Sequence, residues 1–156
     1  GVRTFEAAAY LRRMGAQTQA VKKLFNSSLE DFTYKSQLVT QAEMYMGCAV
    51  VCSAELPPEM NVVIPQAAND LLTINGIQAS VVAVNVGNQI SVSARSMGEV
   101  NVQLIMEKLG GGGHLTMAGA QLKDMSIEEA RQKILEAIAE YREEQKKEQS
   151  RHTVRA

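Results

Sequence analysis

An arginine, a run of four glycines and a histidine carry most of the chemistry available to this sequence. Arg95 stands in Ser93-Ala94-Arg95-Ser96, at the end of an apolar run that begins at Ile90, and Gly110 to Gly113 lead into His114-Leu115-Thr116. A guanidinium is a planar fork that grips a phosphate through two parallel hydrogen bonds. Glycines bring backbone N–H groups close to a ligand and curl them into an anion-binding concavity, because they lack a Cβ and reach positive φ freely. The imidazole of His114 adds a neutral hydrogen bond or a positive charge. Ser93, Ser96 and Thr116 place hydroxyls beside these groups. Gly110 alone is what a helix ending at Leu109 calls for. Three further glycines in ordered structure cost roughly 0.5–1 kcal/mol each relative to alanine, so something must offset them. A phosphate-binding loop does so; a flexible linker is the competing reading, and the ordered patterns on both sides speak against it.

Other chemistry finds little support. The phosphate loop GxxxxGK[ST], the zinc motif HExxH and the nucleophile elbow GxSxG are all absent. The two histidines, His114 and His152, cannot make a histidine-rich metal site. Cys48 and Cys52 lie four apart, which repeats the side-chain direction on a strand. With no second thiol pair to complete a zinc site they read as core residues, in a reducing compartment. No catalytic residue and no metal ligand is expected in this chain.

The elements that must position Arg95 and the glycines follow from local patterns. Phe5 to Met14 reads as a helix stopped by Gly15, and Thr18 caps a second one with Val21, Leu24 and Phe25. Ser27 or Ser28 caps a third, running to about Ala42. Met44 to Ser53 reads as one strand. Pro65 suits the first turn of a helix that ends near Thr73. Ala79 to Val86 and Gln89 to Ala94 read as strands joined by a tight hairpin at Gly87-Asn88. On the second of them Ser91, Ser93 and Arg95 share one face while Ser96 faces the other way. Val102, Ile105, Met106 and Leu109 make one helix face, with Asn101 as its cap. Ala118 to Leu122 adds a short strand. Ser126-Ile127-Glu128-Glu129 opens a long helix with Ile127, Ala130, Ile134, Leu135, Ile138 and Tyr141 on its apolar side. From Glu143 the apolar face is lost and a charged helix end or tail follows. The result is a mixed α/β (α+β) fold with a small central sheet flanked by helices.

Bulk properties set outer limits. The chain has 156 residues, 46% hydrophobic and 21% charged, with a net charge of −1. That suits one soluble globular domain and argues against a broad basic nucleic-acid surface. Aromatics are 4% with no Trp, while eight Met make the core aliphatic and adaptable. No run of about 18 apolar residues is present to span a membrane. Gly1-Val2-Arg3 begins in mid-pattern, so the chain reads as a piece of a longer protein.

Ser93-Ala94-Arg95-Ser96, then Gly98-Glu99-Val100-Asn101-Val102-Gln103, then Gly110 to Gly113 with His114-Leu115-Thr116, resembles the DHHA1 domain of DHH-type phosphoesterases. Within that group the Gly-Glu-x-Asn-Val-Gln and His-Leu-Thr segments are similar to the bacterial cyclic-di-AMP phosphodiesterase branch. The chain departs from that branch's pattern just past His114, at Met117 and Gly119. The resemblance implies a helical connector over 1–43, a DHHA1 substrate-binding domain over 44–142 and a charged end over 143–156. It implies a parent enzyme that hydrolyses the cyclic dinucleotide to pApA, with two Mn²⁺ ions held by the DHH domain of the same chain. It implies contacts to phosphate or nucleotide from Arg95, Gly111, Gly112, Gly113 and His114, with Ser93, Ser96, Asn101 and Thr116 as further candidates. Without the Asp-His-His motif the chain is expected to bind a cyclic dinucleotide or short oligonucleotide but not to hydrolyse it. The parent is expected to be membrane-anchored with this part in the cytoplasm. The alternative is a nucleic-acid-binding module of a RecJ-like or oligoribonuclease-like phosphoesterase. A third reading is a structural or dimerising domain, a homodimer, for which the long C-terminal helix is the only hint.

Overall fold

The computed structural model describes residues 28–155. The two helices expected before Ser27 lie outside them. Helix α1, Leu29–Thr40, starts where Ser28 Oγ accepts the Asp31 N–H at 3.1 Å, so Ser28 is the cap of the two serines. Glu30 and Asp31 in its first turn suit the positive end of the helix dipole. Residues from Lys35 onward make one compact unit, its boundary falling inside α1.

The expected single strand over Met44 to Ser53 is two strands, β1 (Glu43–Tyr45) and β2 (Cys48–Ser53), paired antiparallel. Met46 at φ +50° and Gly47 at φ +83° form the turn between them. Two positive φ angles in succession define the hairpin turn whose twist matches its strands. Methionine rarely adopts that conformation. Arg142 holds it there, donating to the Met46 carbonyl from two nitrogens at 2.8 and 3.1 Å and to Gln78 Oε1 at 2.7 Å.

After a short 3₁₀ turn at Pro58–Met60, helix α2 spans Val63–Leu71 with Pro65 in its first turn, as the sequence suggests, ending two residues before Thr73. Strands β3 (Ala79–Val86) and β4 (Gln89–Ser96) form the expected hairpin, β4 reaching two residues past Ala94. Gly87 at φ +63° supplies the positive angle at its turn. Helix α3 (Val102–Glu107), the two-residue strand β5 (Gly112–Gly113), β6 (Met117–Lys123) and helix α4 (Ile127–Arg155) complete the chain. Ser126 Oγ caps α4 by accepting the Glu129 N–H at 3.1 Å. The charge-rich segment after Glu143 continues as helix to Arg155.

The sheet has six strands in the order β1-β2-β3-β4-β6-β5, with β2 and β3 parallel and every other neighbouring pair antiparallel. Parallel neighbours need a crossover, and α2 is that crossover. Its buried Ala67, Ala68 and Leu71 cover one sheet face, where Ser80 Oγ donates to the Ala68 carbonyl at 2.6 Å. On the other face α3 and α4 bring Val102, Ile105, Met106, Ala130, Ile134 and Ile138 against Val50, Val81, Ile90, Val92 and Ala94. Alternation along β4 follows from this: Ile90, Val92, Ala94 and Ser96 are buried, and Ser91, Ser93 and Arg95 are half-buried on the α2 side.

Cys48 is fully buried and Cys52 half-buried, and both pack against the core, as the strand spacing suggests. Burial pushes the Cys52 thiol up to about 11. Two units above the ordinary thiol leave about a hundredfold less thiolate near pH 8. Iodoacetamide should therefore label native Cys52 about a hundredfold more slowly than the unfolded chain, with the rate climbing roughly tenfold per pH unit up to about 11; equal rates at pH 8 would contradict this burial.

Candidate functional site

The site residues come from three neighbouring strands, and their register decides which of them meet. Arg95 of β4 pairs with Met117 of β6, and Ser93 pairs with Gly119. Gly119 pairs in turn with Gly112 of β5, and Gly113 with Ala118. One step further the ladder closes with His114 N–H donating to the Met117 carbonyl at 2.7 Å. Residues opposite one another in antiparallel strands share a face. His114, Met117 and Arg95 therefore form one row across the sheet, and Gly112, Gly119 and Ser93 form the next. Both rows lie on the face that α2 covers over β3, where Val82 beneath it is fully buried. α2 packs against β4 as well, and beyond it, over β6 and β5, that face is open, with Gly112, His114 and Met117 exposed and Thr116 exposed in the turn that follows His114.

Arg95 is the electrostatic centre of this face. Its Nη1 donates to the Ala94 carbonyl at 2.9 Å. Its Nε is buried and has no hydrogen-bond partner among the described residues. Desolvation lowers its pKa from the ordinary arginine value, and an arginine still carries its charge across the physiological range. A buried guanidinium N–H without an acceptor is costly, and an anion bound to the fork supplies one.

The four glycines do different things. Gly110, at φ +81°, follows the helix: its N–H donates to Glu107 at 3.1 Å and the Gly111 N–H to Met106 at 2.9 Å. These are the two bonds of a Schellman cap, so Gly110 ends α3 as a lone glycine there would. A Cβ on Gly111 would overlap the Gly119 carbonyl oxygen and come within 2.7 Å of Ala120 Cβ. Gly113, at φ +148°, is pressed against Met117 and Ala118 in the same way. Gly110 and Gly112 have open space where a Cβ would stand, and of the two only Gly112 lacks a positive φ. The expected concavity of converging amides is thus corrected to an edge strand. The N–H groups of Gly110, Gly111 and His114 are spent within the chain, and ladder alternation turns the Gly113 N–H outward. Close approach to β6 offsets the entropy of Gly111 and Gly113, a reason that local sequence does not reveal.

Ser96 and Asn101 have structural partners. Ser96 is 6% exposed on the opposite face of β4. Its Oγ donates to the Val100 carbonyl at 2.6 Å, lies 3.3 Å from the Leu115 carbonyl and accepts the Gly98 N–H at 3.3 Å. The Ser96 N–H donates to Thr116 and the Val102 N–H to Leu115, both at 3.0 Å. Ser96 thereby fastens the end of the arginine strand to the turn after His114. Ser96→Ala should lower stability by about 1–2 kcal/mol, because it strips a buried carbonyl of its donor. In ¹⁵N relaxation the His114–Thr116 turn should become more mobile; an unchanged turn would contradict the joint. Asn101 Oδ1 caps α3 by accepting the Leu104 N–H at 3.3 Å, and the Asn101 N–H donates to Tyr141 Oη at 2.9 Å.

Gln121 was not singled out by the sequence patterns, and Met117 only as a departure from the family's pattern. Gln121 Nε2 donates to Ser91 Oγ at 3.1 Å, one step beyond Ser93 on the same face. Alternation along β6 was the available signal, but its pairing partner was not. Among the described residues no three His, Cys, Asp or Glu come together as a metal site. The better-formed clefts lie elsewhere: one of about 310 Å³ is lined by Lys108, Leu122, Met125 and Glu136, and one of about 490 Å³ by Gly47, Gln78 and Arg142. The chemistry favours the open face over these clefts, because Arg142 and Lys108 already have partners there.

A family model described as the DHHA1 domain matches residues 51–144. The chain is 46% identical over 143 residues to the cyclic-di-AMP phosphodiesterase GdpP of Geobacillus thermodenitrificans, covering 90% of this chain and 22% of that protein. It is 34% identical over 113 residues to the bifunctional oligoribonuclease and PAP phosphatase NrnA of Thermus thermophilus, covering 70% of this chain and 34% of that one. Among solved structures, an exopolyphosphatase-related protein from Bacteroides fragilis has the same fold, with a TM-score of 0.65 at 20% identity over 90% of this chain and 44% of its own. The chain spans about a fifth of the length of the first of these relatives.

Proposed function

This chain belongs to the DHHA1 domain family, and from that premise we propose that it is the substrate-holding part of a phosphodiesterase that opens cyclic-di-AMP to pApA. The observation that carries this reading is the buried, unpartnered Arg95 Nε in a row with His114 on an open sheet face. Arg95 takes one phosphate through its fork. His114 and the outward Gly113 N–H stand two strands away, about 10 Å at sheet spacing, suited to a second phosphate of the same dinucleotide. Ser93 and Thr116 add hydroxyls nearby, while Gly111, Ser96 and Asn101 act through the positions they fix.

Hydrolysis is assigned to a DHH domain of the same polypeptide, which closes over the open face and excludes water. Two manganese ions belong to that domain, where they would activate water and stabilise the leaving oxygen. The described residues of this chain do not fit such a pair, since no cluster of carboxylates and histidines is present among them. No helix among the described residues is long and apolar enough to cross a membrane. A membrane anchor elsewhere in the parent, with this domain on the cytoplasmic side, completes the reading.

A short oligoribonucleotide is the second reading, favoured by the likeness to NrnA. The net charge of −1 counts against an extended backbone grip. An NMR titration with cyclic-di-AMP, pApA and a short RNA separates the two. Saturable shifts at Arg95, Gly113 and His114 with both dinucleotides, weakened by His114→Ala, are expected. Binding confined to RNA, with a steep salt dependence and indifferent to His114, would overturn the first reading. Turnover of cyclic-di-AMP by the chain alone with Mn²⁺ would overturn the division of labour.

A further inference from the structure

A second group of cations lies on the sheet face that α4 covers, away from Arg95 and His114. The parallel pairing of β2 with β3 sets Cys48 opposite Ala79 and brings the Met46-Gly47 turn beside Gln78, whose N–H donates to the Gly47 carbonyl at 3.0 Å. Helix α4 packs against the same two strands and sends Arg142 to this turn. A Cβ on Gly47 would stand 2.8 Å from Gln78 Oε1 and 3.0 Å from Arg142 Nη2, so only glycine lets the guanidinium settle there. A cleft of about 490 Å³ remains between the turn, Gly76 and the helix, lined also by Gln145, Lys146 and Gln149. That volume is ordinary for a small-molecule site.

The charges in this cleft are uncompensated. Its described lining holds two cations and three glutamine amides but no carboxylate. Arg142 uses four of its five N–H groups, on the Met46 carbonyl twice, Gln78 Oε1 and Gln145 Oε1. All of these acceptors are neutral, so the guanidinium is fixed in place with its charge intact and one Nη1 hydrogen to spare. Lys35, Lys108 and Arg131, by contrast, each face a carboxylate. Lys146 is exposed and has no hydrogen-bond or ion-pair partner among the described residues. Arg142 and Lys146 lie four residues apart on one helix face, where like charges repel. An anion between them removes that repulsion.

We infer that this cleft is a second anion-binding site, and that it takes a diphosphate group. The two cations are separated by about 6 Å along the helix, so one phosphate does not span them and two linked phosphates do. The spare Arg142 N–H meets one phosphate and the Lys146 ammonium the other. The side-chain N–H groups of Gln78 and Gln149 have no partner among the described residues and supply further donors to the oxygens. Because Arg142 is already held by the turn, little side-chain freedom is lost when the anion arrives. Ala79 pairs with Ser96, so the cleft stands at the same end of the sheet as Arg95 but on the opposite face. The inference does not depend on what Arg95 binds.

The test is an NMR titration of the whole chain with pyrophosphate, orthophosphate, citrate and ADP at constant ionic strength, since salt screens exposed charges. It is run on the parent sequence, on Lys146→Gln and on Arg95→Ala. Pyrophosphate should saturably shift the Gly47 and Gly76 backbone amides and the side-chain amides of Gln78 and Gln149. Orthophosphate and citrate should bind there more weakly. Lys146→Gln should weaken pyrophosphate about fivefold, the scale of one exposed ion contact, and Arg95→Ala should leave these shifts unchanged. In the Arg95→Ala background, ADP binding as tightly as pyrophosphate supports a free diphosphate as the ligand, and tighter binding supports a nucleoside diphosphate. Shifts at Gly47 and Gly76 that fail to saturate, or that are the same in Lys146→Gln, overturn the site. Citrate binding as tightly as pyrophosphate overturns the diphosphate assignment. Shifts confined to Arg95 and His114 overturn this site and leave the Arg95 reading standing.

Discussion

Arg95→Ala should weaken dinucleotide binding between about tenfold and a hundredfold, corresponding to about 1.5–3 kcal/mol for hydrogen bonds to a charged group. Folding stability should hardly move, by about 0.5 kcal/mol or less, because the single bond lost is to the neighbouring Ala94 carbonyl and a buried N–H without an acceptor goes with it. That split distinguishes a ligand-gripping arginine from a structural one. A structural arginine would lower the unfolding midpoint and leave the affinity of the folded fraction intact. Arg95→Lys should recover little affinity, since an ammonium keeps the charge but loses the planar fork. Calorimetric titration alongside thermal unfolding measures both quantities, and unchanged dinucleotide affinity in Arg95→Ala would remove the centre of the proposed site.

Gly111→Ala and Gly112→Ala should have opposite signatures although they are adjacent. At Gly111 a methyl group would run into the Gly119 carbonyl and Ala120, so β5 must separate from β6. Overpacking against backbone costs about 3 kcal/mol, and the unfolding midpoint should fall accordingly. At Gly112 nothing stands within 4 Å and the backbone φ is not in the left-handed region. Alanine there should leave stability unchanged or raise it by up to about 1 kcal/mol, by restricting the unfolded chain. Its methyl group would stand on the open sheet face between Arg95 and His114, and nucleotide affinity should drop severalfold. If Gly111→Ala proved as stable as the parent sequence, the close approach of β5 to β6 would be refuted.

The local features of this protein were legible from its residues. Serine at 28 and 126 and asparagine at 101 announced helix starts, because a cap satisfies backbone groups within three residues of itself. Alternation along β4 put Ser93 and Arg95 on one face and Ser96 on the other, because side-chain direction repeats every second residue. The glycine and histidine run, with the Arg-Ser pair, was enough to point to the family.

Everything that depends on which strand lies beside which came only from the tertiary structure. The break at Met46 needed Arg142, 96 residues away, to grip its carbonyl. Gly111 is a glycine because β6 passes against it, and Ser96 turns its hydroxyl to two loops that local pattern cannot bring together. Met117 and Gln121 join Arg95 on one face through the pairing of β4 with β6. Register between strands separated by a helix and a loop is settled by burying Ala94, Ala118 and Ala120 in a common core, a global condition that no window of sequence contains.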